Sequence, residues 1–200
     1  MRLVIDGTAG CGKTTFLTGS STIYPDEQHY QCIRDQGYSV FSELIRGAIR
    51  ARKAQGVDPF SDLEDFFRIC VERAIDFYQH AEGNKGIYFY DRGLPYLKIM
   101  SQRYGYQMPY TFDELCQKYR YDNPVFVFAP IVSHDMRFPK PNEDKGKGYT
   151  LEERLKQHQL VMEVYKNLGY DVVEVPVYND GDIAMNNAKR LSFIKEFVKI

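Results

Sequence analysis

The segment Gly7-Thr8-Ala9-Gly10-Cys11-Gly12-Lys13-Thr14 limits the fold of this chain more than any other stretch of the sequence. It matches the pattern G-x-x-x-x-G-K-[ST] at every fixed position, and the apolar run Leu3–Ile5 comes just before it. Glycines let the backbone curl so that successive N–H groups point at phosphate oxygens. A chance glycine-rich turn needs neither a strand before it nor a helix after it, whereas this segment has both patterns. The segment therefore predicts a P-loop that binds a nucleoside triphosphate.

The expected ligands of this loop are ATP and Mg²⁺. Lys13 is a predicted catalytic residue because it brings positive charge to the β- and γ-phosphates, and the Thr14 hydroxyl is a predicted Mg²⁺ ligand. The predicted phosphate-binding residues are Gly7, Thr8, Ala9, Gly10, Cys11, Gly12, Lys13, Thr14 and Thr15.

Length and composition favour one globular domain. A chain of 200 residues, 44% hydrophobic and 26% charged, can bury one core but is short for two. The net charge of −1 gives no general reason to expect nucleic acid or an anionic membrane as a partner. The cysteines are scattered without a Cys-x-x-Cys pair, and no apolar run reaches membrane-spanning length. We therefore expect a cytoplasmic protein.

Short apolar runs alternate with amphipathic stretches along the chain, which is typical of an α/β fold with a parallel sheet. The expected strands are Leu3–Ile5, Tyr38–Phe41, Ile87–Tyr90, Val125–Phe128 and Val172–Val175. The expected helices begin at Thr14 and cover about 43–53, 61–81, 150–168 and 184–198. No repeat or long linker divides the chain. We predict a single domain over residues 1–200, a doubly wound five-stranded parallel sheet with helices on both faces.

Two of these helices begin at capping-box sequences, Ser61-Asp62-Leu63-Glu64 and Thr150-Leu151-Glu152-Glu153. Apolar residues spaced by three and four follow both, so each helix should bury one stripe. The stripes are Leu63, Phe66, Phe67, Cys70, Ala74, Phe77 and Ala81 in the first helix, and Leu151, Leu155, Met162, Tyr165 and Leu168 in the second, which Gly169 should close.

Asp91 directly follows the apolar strand Ile87–Tyr90. A P-loop site needs a second carboxylate at a strand end to hold the magnesium ion and its water shell, and Asp91 fits this description best. We predict that Asp91 is a catalytic residue and a metal ligand; the alternative is an acidic residue that begins a turn with Gly93 and Pro95. Arg92 can bind an anionic group through its guanidinium fork, or it can pair with a neighbouring carboxylate.

Glu43 follows the second expected strand, Tyr38–Phe41. A carboxylate at that strand end can accept a proton from a substrate hydroxyl or help to hold the metal. The alternative is a glutamate in the first turn of a helix, capped by Ser42 and stabilised by the helix dipole. The residues alone slightly favour this second, structural role.

A basic segment at about 134–154 connects the fourth expected strand to the next helix. In small-molecule kinases such a segment closes over the triphosphate as a lid, which excludes water and presents arginines to the transferred charge. Arg137 and Arg154 are therefore predicted catalytic residues. The alternative is a solvated loop without function, because Asp135, Glu143 and Asp144 dilute the positive charge.

These motifs occur in an order that resembles the kinase-like branch of P-loop proteins known as AAA-type ATP-binding proteins or predicted ATPases. That branch includes the nicotinamide riboside kinase domain of NadR-type proteins. The resemblance implies that Glu43 is a base or metal-shell residue and that Arg46 and Arg92 bind the substrate. It rests on the P-loop, Ser42-Glu43-x-x-Arg46, Asp91-Arg92-Gly93 (similar also to deoxynucleoside and thymidylate kinases), Asp135-x-Arg137, Tyr165-x-x-x-Gly169-Tyr170 and Val175-Pro176.

The sequence thus predicts an ATP- and Mg²⁺-dependent kinase that transfers the γ-phosphoryl group to a nucleoside- or nucleotide-like small molecule. Two other classes stay open. One is a regulatory ATPase or nucleotide-dependent binding module, although a GTPase is disfavoured because Asn84-Lys85-Gly86-Ile87 lacks the aspartate of a guanine-binding motif. The other is a kinase of nucleic-acid ends or bases, which the near-neutral charge disfavours. Monomer and homodimer are both compatible with the sequence.

Overall fold

Five parallel strands form one sheet in this computed structural model, which describes residues 1–19, 32–132, 150–178 and 182–199. The strands lie in the order β2-β3-β1-β4-β5, and every neighbouring pair is parallel. Because β1 is the middle strand, the loop that follows it opens at the centre of one sheet edge. The strands are β1 (Arg2–Gly7), β2 (Ser39–Phe41), β3 (Tyr88–Asp91), β4 (Val125–Phe128) and β5 (Val172–Val175).

Helices cover both faces of this sheet, and alternate residues of β1 show the two cores. Val4 packs into a core with residues of the helices α2 to α6, whereas Leu3 and Ile5 pack with α1 and α7 on the opposite face. The predicted doubly wound α/β fold is therefore confirmed. The helices are α1 (Lys13–Thr18), α2 (Leu44–Ala54), α3 (Leu63–His80), α4 (Tyr96–Arg103), α5 (Phe112–Lys118), α6 (Leu151–Asn167) and α7 (Ile183–Val198), with a 3₁₀ turn at Arg34–Gln36. None of the helices within the described ranges is long and apolar enough to cross a membrane.

Of the two predicted capping boxes, the one at α6 is present, whereas α3 is capped by a single side chain one residue later than predicted. Thr150 caps α6: its hydroxyl accepts from the Glu153 N–H at 3.2 Å, and its own N–H donates to the Glu153 carboxylate at 2.8 Å. The cap of α3 is Asp62, whose carboxylate accepts from the Asp65 N–H at 3.0 Å. The predicted cap Ser61 was wrong because its hydroxyl donates instead to a carbonyl in the preceding turn.

The buried stripe of α6 also differs from the prediction. Leu155 is 44% exposed, whereas Arg154 and His158 are buried together with Val161 and Tyr165. Apolar spacing alone misplaced the stripe because two of the buried side chains are polar. They are tolerated inside because Arg154 donates to a carbonyl oxygen and His158 lies 2.6 Å from the Glu174 carboxylate.

The sequence patterns predict no helix between β3 and β4, but α4 and α5 lie there. Both helices are short, and short helices depend on tertiary packing rather than on a long periodic pattern. In α4, Leu97 and Ile99 are buried in the core that packs against α6. Because α4 begins at Tyr96, it fixes the turn that leaves β3, where the predicted site residues Asp91 and Arg92 lie.

Candidate functional site

The loop between β1 and α1 has backbone angles that favour glycine at three positions. Gly7, Gly10 and Gly12 have φ values of 136°, 77° and 87°. A side chain at Gly7 is excluded by space as well, because a Cβ atom there would lie 2.7 Å from the Phe128 carbonyl oxygen and 2.9 Å from Cys11 Sγ. The glycines of the motif therefore set the curvature of the loop.

Lys13 folds back across this loop. Its Nζ donates to the carbonyl oxygens of Gly7 at 2.8 Å and Thr8 at 3.0 Å, and only 5% of the residue is exposed. The predicted ligands Thr14 and Thr15 lie in the first turn of α1 and are partly buried. The structure thus brings the predicted phosphate-binding residues into one small loop with a cation at its centre.

Asp91, the last residue of β3, lies beside the P-loop because β3 pairs directly with β1. Its partner across the ladder is Ile5, two residues before Gly7. Asp91 is 5% exposed, and its Oδ1 makes no hydrogen bond with any described residue. Burial and the nearby charge of Glu43 raise the pKa of Asp91 to about 6, against the opposing charge of Lys13.

A buried carboxylate with an unbonded oxygen is a suitable ligand for a hard cation such as Mg²⁺. In the part of the chain that the structure describes, no three His, Cys, Asp or Glu side chains form a metal-binding group. A magnesium ion at Asp91 would therefore take its other ligands from the Thr14 hydroxyl, phosphate oxygens and water, as is usual for Mg²⁺ in nucleotide sites.

Glu43 is the N-cap residue of α2, and both of its carboxylate oxygens face arginines. Oε2 lies 2.9 Å from Nε of Arg46, and Oε1 lies 3.4 Å from Nε of Arg92. Burial opposes ionisation of Glu43, but the charges of Arg92 and Arg46 outweigh it and lower its pKa. Glu43 is itself the N-cap residue and its side chain makes no capping hydrogen bond, so it differs from the first-turn glutamate capped by Ser42 that the sequence slightly favoured.

Arg92 has a positive φ of 71°, which is uncommon for a residue other than glycine. A strained backbone conformation persists where contacts with surrounding residues hold it in place. The Arg92 guanidinium makes one such contact, 3.7 Å from the centre of the Tyr96 ring. Burial disfavours its charge, but the carboxylates of Glu43, Asp6 and Asp91 outweigh this effect and raise the pKa of Arg92. Arg92 is 8% exposed, and its Nη1 has no hydrogen-bond partner among the described residues.

Asp6 and Tyr165 connect the site to the core, and the sequence assigned neither of them to it. Asp6 is fully buried, and burial raises its pKa despite the nearby charges of Arg92 and Lys13. Its Oδ1 accepts from the Gly7 N–H at 2.7 Å and its Oδ2 from the Tyr165 hydroxyl at 2.9 Å. The only sequence signal for Asp6 is its place between an apolar run and the P-loop.

Arg190 of α7 is a second residue that the sequence did not reveal. It is fully buried, and its Nη1 donates to the Cys11 carbonyl oxygen in the P-loop at 2.7 Å. Its Nε donates to the Pro176 carbonyl oxygen at 3.1 Å, and its guanidinium lies 4.3 Å from the centre of the Phe128 ring. Arg190 therefore joins the P-loop to the chain that leaves β5. No local motif marks it, because its partner Cys11 is 179 residues away.

The predicted lid falls mostly on residues 133–149, including Arg137, which lie outside the described residues. Arg154 is described: it is fully buried, and its Nη1 donates to the Ile131 carbonyl oxygen at 3.0 Å. Ile131 in turn lies close to the P-loop, since a Cβ atom added at Gly12 would be 3.7 Å from Ile131 Cδ1. The structure places Arg154 behind the loop, bound to the main chain.

The aromatic residues between β3 and β4 mostly pack against other rings. Tyr104 stacks on Phe60 and Tyr106 on Phe67, at centroid distances of 4.7 and 5.0 Å. Some of them border a cavity of about 500 Å³ between α3 and α5. None of the predicted site residues lines this cavity.

The profile of a family described as an AAA domain matches residues 2–184. The chain belongs to this family. The resemblance seen in the sequence motifs is thereby confirmed, and the match covers the P-loop, Glu43 and Asp91. A search of curated proteins found no significant match.

Solved structures with a similar fold include several kinases of this P-loop type. A NadR protein in complex with NR has a TM-score of 0.55 and 17% identity, covering 100% of this chain but 52% of that one, so the chain spans about half of NadR. Thymidylate kinase from Ehrlichia chaffeensis has a TM-score of 0.52 and 20% identity over 97% and 98% of the two chains. Deoxyadenosine kinase from M. mycoides with bound dATP has a TM-score of 0.55 and 14% identity over 100% of both. These likenesses show that the fold is that of P-loop kinases.

Proposed function

We propose that this protein is a small-molecule kinase that uses ATP and Mg²⁺ to phosphorylate a nucleoside- or nucleotide-like acceptor. One observation carries the proposal: the pairing of β3 with β1 sets Asp91 and Arg92 beside the P-loop, with Glu43 and Arg46 next to them. A site that only bound a nucleotide would not need this second charged group.

The nucleotide side of the site comprises the P-loop with Lys13, Arg154 and Arg190. Its backbone N–H groups and Lys13 bind the triphosphate, while Thr14 and Asp91 hold Mg²⁺. Bound MgATP supplies the phosphoryl group, and the chain contributes positioning and electrostatic stabilisation. The glycine at position 7, where a Cβ atom does not fit, and the unbonded Oδ1 of Asp91 support this assignment.

The acceptor side comprises Glu43, Arg46 and Arg92. Arg46 and Arg92 bind the acceptor, and Glu43 faces the same space as a base or as the residue that holds the arginines. The segment 134–154 with Arg137 is proposed as a lid over the triphosphate. The similar structures include a thymidylate kinase and a deoxyadenosine kinase, which supports a nucleoside-like acceptor. The proposed kinase acts in the cytoplasm on a small molecule, without a nucleic-acid or membrane partner.

An ADP-release screen tests this proposal. The purified chain is given MgATP with nucleosides, nucleoside monophosphates or nicotinamide riboside, and thermal shifts are recorded for each mixture. The expected result is ADP formation that depends on one class of acceptor and is absent in Lys13→Ala. Equal release of ADP and free phosphate with and without every acceptor would indicate an ATPase instead.

A further inference from the structure

Arginines from two elements act on Glu43, and an arginine from a third element packs against α2 one helical turn away. Arg46 and Arg50 lie on α2, Arg73 lies on α3, and Arg92 follows β3. The charges of Arg92, Arg46 and Arg50 all act on Glu43, and two of these residues form ion pairs with it. Because each oxygen of the carboxylate faces a guanidinium, Glu43 is arranged to hold arginines in place.

Arg73 reaches this group because α2 has a glycine where the two helices meet. A Cβ atom at Gly47 would lie 2.5 Å from Arg73 Nη2 and 2.8 Å from its Cζ, so the guanidinium packs against the bare backbone of α2. Gly47 is one helical turn from Glu43, to whose carbonyl oxygen its N–H donates at 3.3 Å. The buried Nε of Arg73 makes no hydrogen bond with a described residue.

Arg92 offers a second donor of this kind, because its buried Nη1 also has no partner in the described ranges. Buried polar groups in native proteins nearly always have a partner, so each such group calls for an explanation. Two guanidinium groups with unused donors, both within reach of one turn of α2, suit a ligand with several acceptor oxygens. Phosphate matches them best, since the guanidinium fork binds it with two parallel hydrogen bonds.

We propose that the acceptor is a phosphate monoester and that Arg46, Arg73 and Arg92 bind its phosphate group. This inference rests on the proposed kinase function and narrows it to acceptors that already carry a phosphate, as nucleoside monophosphates do. Glu43 is then a positioning residue that orients Arg46 and Arg92.

The chemistry of transfer is consistent with that role for Glu43. An oxygen of the acceptor phosphate forms a bond to the γ-phosphorus of ATP, the bond from that phosphorus to the bridging oxygen breaks, and the electron pair leaves with ADP. A monoester dianion and ATP⁴⁻ give a diphosphate trianion and ADP³⁻, so no proton has to move. The second pKa of a phosphate monoester is about 6, so the attacking oxygen is already deprotonated at neutral pH and needs no base.

Matched acceptor pairs test the substrate class. The full chain with MgATP is given thymidine or its 5′-monophosphate, adenosine or its 5′-monophosphate, and nicotinamide riboside or its monophosphate. We expect at least one monophosphate to stimulate ADP release about tenfold or more over its nucleoside, because the arginines are left without an anion when the phosphate is missing. Stimulation by nucleosides but by no monophosphate overturns the inference and leaves the kinase function standing. ADP release that no acceptor raises above the basal rate overturns the kinase function itself.

Arg73→Leu and Arg68→Leu form a matched pair on α3. Arg68 is exposed and pairs with Asp65 and Glu72 away from the site. With the stimulating monophosphate, Arg73→Leu should raise its KM about tenfold or more and leave the KM for ATP unchanged, whereas Arg68→Leu should change neither. An unchanged acceptor KM in Arg73→Leu overturns the assignment of Arg73 to the phosphate.

Glu43→Gln separates positioning from base catalysis. A positioning role predicts a higher acceptor KM and a kcat reduced less than about tenfold, because the amide no longer ion-pairs with the arginines. Loss of a general base instead lowers kcat about 10²–10⁴-fold at unchanged KM. That second pattern overturns the inference.

Discussion

The proposed nucleotide side and the proposed acceptor side of the site are held by different kinds of interaction. On the nucleotide side, Lys13, Arg154 and Arg190 all donate to main-chain carbonyl oxygens. On the acceptor side, Glu43 forms ion pairs with the side chains of Arg46 and Arg92. Hydrogen bonds to the main chain hold the P-loop in one conformation whether or not a ligand is bound. An ion pair between side chains can instead open when a charged ligand replaces one of the partners. The nucleotide side is therefore preformed, whereas the side chains of the acceptor side can rearrange when an acceptor binds.

Lys13→Ala should have the largest effect on ADP formation, because it removes the cation at the centre of the P-loop. We expect ADP formation to fall on the order of 10³-fold and the thermal shift with MgATP to disappear. Rates of ADP release and unfolding curves with and without MgATP measure both. Lys166→Ala, on the exposed face of α6, is the control and should leave both unchanged. More than about a tenth of the wild-type rate in Lys13→Ala would contradict the assignment.

Arg190→Leu tests whether the two sides are separate. Loss of its charged hydrogen bonds to Cys11 and Pro176 should raise the KM for ATP about tenfold or more and lower the free energy of unfolding by about 2–4 kcal/mol. The acceptor KM should stay the same, and Arg190→Lys should restore part of the ATP affinity. The exposed neighbour Lys189→Leu provides the control. An equal rise in both KM values would show that the sides are coupled.

Asp91→Asn should make the chain more stable and less active. The pKa of Asp91 is raised from 3.8 to about 6, so its ionised form costs the folded state up to about 2–3 kcal/mol above pH 6. Below about pH 4 the carboxyl is protonated in both states, and the cost vanishes. Urea unfolding should therefore show a stabilising effect of Asn that grows from pH 4 to 6 and then stays constant, while Mg²⁺-dependent ADP release falls. Destabilisation at pH 7 would contradict this account of Asp91.

Thr150→Ala should have the smallest effect, because the capping box lies outside both sides. Loss of the cap should lower the free energy of unfolding by about 1 kcal/mol, or the melting temperature by about 2–4 °C. Asp62→Ala should lose a similar amount of stability, because the Asp62 carboxylate caps α3. An unchanged stability in Asp62→Ala would contradict the observed cap of α3.

Whether a feature depends on neighbouring or on distant residues of the chain decides how well the sequence predicts it. The P-loop and the strands β4 and β5 follow from patterns within a few residues, and their bounds agree with the prediction. Asp91 could be proposed from the sequence because its strand is a local feature, and strand pairing then brings it beside the P-loop. Arg190 and the contact of Arg73 with Gly47 join residues far apart in the chain, so no window of sequence contains them. The cap of α3 was misplaced because Ser and Asp are both good caps, and only the preceding turn decides between them.

The Tyr165 hydroxyl joins two strand ends of the candidate site from inside the core. It donates to Asp6 and accepts from the Gly93 N–H at 3.2 Å, so the end of β1 and the turn after β3 share one buried anchor. This shared contact fixes the position of the P-loop relative to Arg92 from within the core. Under the proposed function, substitutions of the arginines on α2 and α3 should change which acceptor is recognised, whereas substitution of Tyr165 should disturb the position of the P-loop relative to Arg92.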